Sequence, residues 1–140
     1  MHFLGFPILL AGVLALFGLR SLFATAPLFI AVQISAVGLM IWARLTFGMR
    51  SFHPGAQPTP GGLVTGGPYR FIRHPIYTAI CLFCAAGAIN HWSVAAGGCL
   101  LIVFAGALLR MIAEERLLLL RYPEYATYIT RTKRMIPFLY

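Results

Sequence analysis

Four apolar stretches, each closed by charge or by turn-forming residues, decide what this 140-residue chain can fold into. The first runs from about Phe3 to Leu19, ends near Arg20, and with its exit gives a span of about 3–23. The second runs from about Pro27 to Leu45, interrupted by Gln33 and Ser35 and carrying Arg44 at its exit. The third and fourth run from about Pro75 to Ile89 and from about Val94 to Ile112, giving spans of about 75–89 and 93–112. A helix crosses the hydrocarbon core with about 17 to 25 residues, so the third stretch is short for a full span. Pro27 suits a helix start, because a first-turn proline gives up no helical hydrogen bond. The expected fold is all-α: a single-domain integral membrane bundle, 1–140, of about four transmembrane helices with a cytoplasmic helical tail.

Composition agrees. The chain is 60% hydrophobic and 10% charged, against roughly 25% charged residues in ordinary soluble domains. The net charge is +8, and the acidic residues are Glu114, Glu115 and Glu124 alone. Every basic cluster abuts an apolar stretch, which suits anionic headgroups rather than nucleic acid. With four spans, only Arg20 of the eleven Lys and Arg residues falls on one side. The positive-inside rule then places both termini, the second loop and the tail in the cytoplasm.

Cys81-x-x-Cys84 sits inside an apolar stretch with no second ligand pair, and Cys99 leaves an odd count. Neither a metal site nor a disulfide framework is expected; these residues read as small hydrophobes. Ala24-Thr25-Ala26 resembles a signal-peptide cleavage site, but Met1-His2-Phe3 lacks the basic start, so the first stretch reads as a retained span.

The segment from about Thr46 to Arg73 has another character. It carries Pro54, Pro58, Pro60 and Pro68 with Gly61, Gly62, Gly66 and Gly67, a density that favours irregular backbone. Asn90-His91-Trp92-Ser93 reads as a tight turn, and Gly87, Gly97 and Gly98 beside it suggest that the third and fourth helices form a close hairpin. The tail, 113–140, continues helically from Glu114 to Leu120, breaks at Pro123 and restarts at Glu124, Tyr125 and Tyr128; Arg131, Lys133 and Arg134 follow.

Two polar clusters adjoin these spans. One is Thr65-Gly66-Gly67-Pro68-Tyr69-Arg70-Phe71-Ile72-Arg73-His74-Pro75-Ile76-Tyr77. His74 and Tyr77, three apart, share a face of a starting helix whose free N–H groups can hold an anion. Arg, His and Tyr also serve as plain interfacial anchors, and the residues alone leave both readings open. The other cluster is Arg110-Met111-Ile112-Ala113-Glu114-Glu115. Arg110 and Glu114 are four apart, and an exposed pair of this kind is worth little. At the end of an apolar span, however, charge is expensive and tends to be functional. Glu114 beside Glu115 makes a negative spot in a basic chain, which suits a cationic ligand.

Leu63-Val64-Thr65, Gly67-Pro68-Tyr69 and Arg73-His74-Pro75-x-Tyr77, followed after one hairpin by Glu114-Glu115 and Tyr125-x-x-Tyr128, resemble the isoprenylcysteine carboxyl methyltransferase family over about residues 61 to 137. More loosely, they are similar to membrane phospholipid methyltransferases. The resemblance implies an S-adenosylmethionine-dependent enzyme that methylates a lipophilic or prenylated acceptor at a membrane lipid surface. It implies a cofactor loop at about 60–74, with Leu63, Val64, Tyr69, His74, Pro75, Ile76 and Tyr77 lining the pocket. Glu114 would hold a polar group of the cofactor. Arg110, as catalytic and substrate-binding residue, would face the acceptor, where its planar fork matches a carboxylate. The chain departs from the family pattern at Ala79, where glycine is frequent, at Gly61, where histidine is common, and at Tyr122-Pro123, which replaces Phe-Gly.

Methyl transfer needs two reactants held in line and water kept out. No cluster has metal-ligand spacing, and no GxGxxG follows a strand. The leading expectation is a methyltransferase of the carboxyl type. The alternatives are a phospholipid N-methyltransferase, a sterol-reductase-like protein and a non-catalytic membrane protein.

Overall fold

A computed structural model describes residues 4–48 and 62–137. It contains five α-helices in the order α1 (Gly5–Gly18), α2 (Pro27–Phe47), α3 (Pro75–Asn90), α4 (Val94–Arg121) and α5 (Tyr125–Arg131), with a short 3-10 turn at Gly67–Arg70. Among the described residues there is no strand, only an isolated parallel bridge between Ile72 and Lys133. The all-α expectation therefore holds. Two of the helices, α2 and α4, are long and apolar enough to cross a membrane; α1 and α3 are apolar but shorter. The expected loop residues Pro54, Pro58, Pro60 and Gly61 lie outside the described part.

Local chemistry explains the boundaries. Pro27 and Pro75 open α2 and α3. Ser93 caps α4, its hydroxyl accepting from the Ala96 N–H at 3.0 Å, which satisfies one of the donors that every helix start leaves unpaired. Helix α4 carries the apolar stretch and the expected helical continuation as one element of 28 residues to Arg121, a length of about 42 Å at 1.5 Å per residue. It ends where Tyr122 precedes Pro123, a position that disfavours helical backbone.

Helix α1 covers only part of the expected 3–23. Helix α1 closes at Gly18, Arg20 turns left-handed with φ 55°, and the Ser21 N–H reaches back to the Leu16 carbonyl at 2.9 Å. The following turn packs against the end of α3. Buried Gln33 holds it there: its amide donates to the Leu22 carbonyl at 2.7 Å and the Phe83 carbonyl at 3.1 Å, and its oxygen accepts from the Ala24 N–H at 3.0 Å. Asn90 accepts from the Ala26 N–H at 2.9 Å. A polar residue in an apolar helix is tolerated when its groups are satisfied in this way.

The core runs through Leu9, Leu16, Leu22, Cys81, Cys84, Val103 and Met111, so the cysteines pack as apolar filler with free thiols. Helix α1 lies along α4 and α2 along α3, each more extensively than α3 lies on α4. The expected close hairpin through Gly87, Gly97 and Gly98 is thus only a loose one. A Cβ on Gly87 would strike the Leu22 carbonyl of the α1–α2 turn, Gly97 faces the Trp92 ring, and Gly98 faces open space. The tight approach occurs instead between α1 and α4: a Cβ on Gly12 would lie 2.9 Å from the Val103 nitrogen, and one on Gly106 would strike the backbone of Leu9. Small residues let these two backbones meet directly.

Candidate functional site

The polar segment before α3 is anchored at both ends. Gly67 adopts φ +55°, and its absent side chain makes room for that of Thr46 on α2. Tyr69 lays its ring against Phe47 at the end of α2, centroids 5.6 Å apart. From the other side the tail closes over the segment. The Arg73 N–H donates to the Lys133 carbonyl at 2.7 Å, the His74 N–H to the Arg134 carbonyl at 3.0 Å, and the Lys133 N–H to the Phe71 carbonyl at 3.3 Å. The Tyr128 hydroxyl donates to the Tyr69 carbonyl at 2.6 Å, and Thr78 Oγ1 to the Met135 carbonyl at 3.0 Å.

Two adjacent glutamates on α4 face this assembly with different surroundings. Glu115 is buried and carries three donors. Arg73 Nε lies 3.0 Å from Oε1, His74 Nε2 3.2 Å from the same oxygen, and Arg134 Nη2 2.9 Å from Oε2. Burial alone would raise the Glu115 carboxyl, but hydrogen bonds from His74, Arg134 and Arg73 outweigh it and hold the group at about 2. The expected negative spot at Glu114 and Glu115 is therefore compensated: two guanidinium groups face Glu115, and that of Arg110 faces Glu114.

Glu114 is more open, with 23% of its side chain exposed. Its Oε1 accepts from the Tyr77 hydroxyl at 2.6 Å and lies 3.3 Å from Arg110 Nε, while Oε2 lies 3.8 Å from His74 Nδ1. Arg110 Nε also donates to the Tyr77 oxygen at 3.1 Å. The Arg110 side chain is only 5% exposed, and its guanidinium carbon sits 5.9 Å from the centroid of the Phe6 ring on α1. A cation over an aromatic face at this distance is favourable.

The structure thus brings four of the expected site residues, His74, Tyr77, Arg110 and Glu114, into one cluster. Pro75 is buried as the first residue of α3, and Ile76 is half-buried beside it. Leu63 and Val64 are half-buried on the irregular segment leading to the 3-10 turn. Tyr69 turns its ring to Phe47 and its carbonyl to Tyr128, and so supports the loop. Its hydroxyl is pushed well above the usual range by burial first, then by Tyr128 and Glu114, which puts it within the field of the cluster. Ala79 is buried within α3, and Tyr122 ends α4 ahead of Pro123.

Arg73 stands in the first polar cluster and Arg134 in the basic tail, but that both meet at Glu115 was not visible in the sequence. They lie 42 and 19 residues from their common partner, and no local spacing connects them. A cavity of about 430 Å³ lined by Phe17, Gly18, Arg20, Leu22 and Phe23 lies at the other end of α1 and shares no residue with the cluster.

A family model described as phospholipid methyltransferase matches residues 21–125. No curated protein and no solved structure matches the chain.

Proposed function

The chain belongs to the phospholipid methyltransferase family, and we propose that it is an integral-membrane, S-adenosylmethionine-dependent methyltransferase whose acceptor is a lipid. The observation that carries this reading is the cluster of His74, Tyr77, Arg110 and Glu114, where a partly exposed carboxylate stands in a chain of net charge +8. The donor set fits the cofactor. Glu114 offers acceptor oxygens to the cationic, hydroxyl-rich ligand, and His74 and Tyr77 border the same spot. When bound, S-adenosylmethionine supplies a methyl group on a sulfonium carbon already activated for attack. The chain's own residues position the reactants: Tyr77 ties Glu114 to Arg110, and the tail holds the segment that carries His74.

The acceptor has two readings. The family match favours a phospholipid amine. The Arg110 guanidinium, whose fork matches a carboxylate, favours the isoprenylcysteine carboxyl type that the sequence motifs resemble. We further propose four spans with both termini and the cluster facing the cytoplasm, supported by the one-sided charge.

Purified protein in detergent should bind S-adenosylhomocysteine. With labelled donor it should transfer methyl groups to an aminophospholipid rather than to a prenylated cysteine. Transfer to the prenylated cysteine alone would replace the amine reading by the carboxylate one. Absence of S-adenosylhomocysteine binding at millimolar ligand would defeat the methyltransferase reading altogether.

A further inference from the structure

His74 stands between the two glutamates. Its side chain is 5% exposed, with Nε2 3.2 Å from Glu115 Oε1 and Nδ1 3.8 Å from Glu114 Oε2. The first distance is within hydrogen-bond reach and the second is beyond it. A carboxylate can only accept, so the Glu115 contact requires the proton on Nε2. The His74 backbone is held as well, through its N–H to the Arg134 carbonyl and through Thr78 Oγ1, which donates to the His74 carbonyl at 3.1 Å. Glu115 itself is fixed by Arg73 and Arg134.

We propose that Glu115 is a positioning residue rather than a ligand contact: by accepting from His74 Nε2–H it selects the tautomer that leaves His74 Nδ1 as a second acceptor beside Glu114 Oε2. The inference rests on the methyltransferase reading for what occupies the site. It deepens that reading, because two acceptors side by side call for a hydrogen-bond donor of the ligand at that point and reject an acceptor. It also divides the labour of two consecutive glutamates. Glu114 faces the ligand, and Glu115 acts through His74. The tail enters the same arrangement, because Arg134 helps to hold Glu115 in place. Which ring nitrogen carries the proton is decided by the partner of the other, so the tautomer is the direct readout.

The experiment is nitrogen-15 NMR of histidine-labelled full-length protein in detergent near pH 8, with His74 signals identified by their loss in His74→Gln. The expected result is a single Nε2–H tautomer in the unaltered protein. Glu115→Ala should lose that preference and weaken S-adenosylhomocysteine binding about tenfold, the scale of one hydrogen bond to a charged group. Glu115→Asp, which keeps a carboxylate, should recover both in part. A proton on Nδ1 of the unaltered protein, alone or together with one on Nε2, overturns the proposal and needs no variant to fold. So does a Glu115→Ala protein with unchanged tautomer and affinity. If the unaltered protein binds no S-adenosylhomocysteine, the methyltransferase reading fails, while the spectrum still decides the role of Glu115.

Discussion

The Tyr77 hydroxyl donates to Glu114 Oε1 at 2.6 Å, across the gap between the start of α3 and the far end of α4. The Tyr77 oxygen in turn accepts from Arg110 Nε at 3.1 Å, so one phenol joins both members of an i,i+4 ion pair to a second helix. Tyr77→Phe keeps the ring and removes the link. A hydrogen bond to a charged group contributes about 1.5–3 kcal/mol. S-adenosylhomocysteine binding by calorimetry is expected to weaken by about tenfold, with helix content by circular dichroism unchanged. Equal affinity in the variant would remove Tyr77 from the site.

Acid should undock the tail. The Glu115 carboxyl titrates at about 2 in the folded chain against an ordinary 4.5. A depressed folded-state value means that the stabilisation is complete above the ordinary value and is lost as pH falls from about 4.5 through about 2. Hydrogen exchange at the Arg73, His74 and Lys133 amides, after correction for intrinsic rates, should accelerate across that window. The Gly87-bonded amide of His91 at the opposite end should not follow.

Gln33→Leu should destabilise the α1–α2 turn. The change leaves the Leu22 and Phe83 carbonyls without this donor and the Ala24 N–H without its acceptor. A cost of about 1–3 kcal/mol is expected, read as a lower unfolding temperature in detergent. Ser35→Ala is the comparison. Its exposed hydroxyl bonds only within α2, to the Ala31 carbonyl, and its loss should barely register.

The α1–α4 contact predicts opposite outcomes for two glycines on one helix. Gly106→Ala would push a methyl group into the Leu9 backbone, whereas Gly98→Ala meets nothing within 4 Å. The first should cost about 1–3 kcal/mol through overpacking and lower thermal stability. The second should be neutral or slightly stabilising, since alanine is the better helix former. Similar melting of the two variants would contradict the direct backbone contact.

Much of this fold was legible locally. Pro27, Pro75, the turn before Val94 and the break at Pro123 are one-residue or two-residue signals, and each marks a real boundary. The four-residue spacing of Arg110 and Glu114 also survives as an ion pair. Pairings between distant segments were less accessible. Small residues show that some helix will approach closely, but not which one, so Gly87 and Gly98 suggested a hairpin while Gly12 and Gly106 form the tight contact. The Glu115 hub depends on Arg73 and Arg134 arriving from separate segments, and nothing periodic joins them. The continuation of α4 beyond its apolar stretch was legible as well: a helical run from Glu114 to Leu120 broken at Pro123 is expected, and the helix ends at Arg121.

Helix α4 carries both Arg110 and Glu114 and continues for seven residues beyond the latter. Along the axis the two lie about 6 Å apart, four residues at 1.5 Å each. That interval is a rigid ruler, independent of loop or tail movement. The side chains close that interval to 3.3 Å. In the proposed reaction, whatever Arg110 holds and whatever Glu114 holds would then be brought side by side by one helix, so the encounter of the two reactants would not wait on a domain movement.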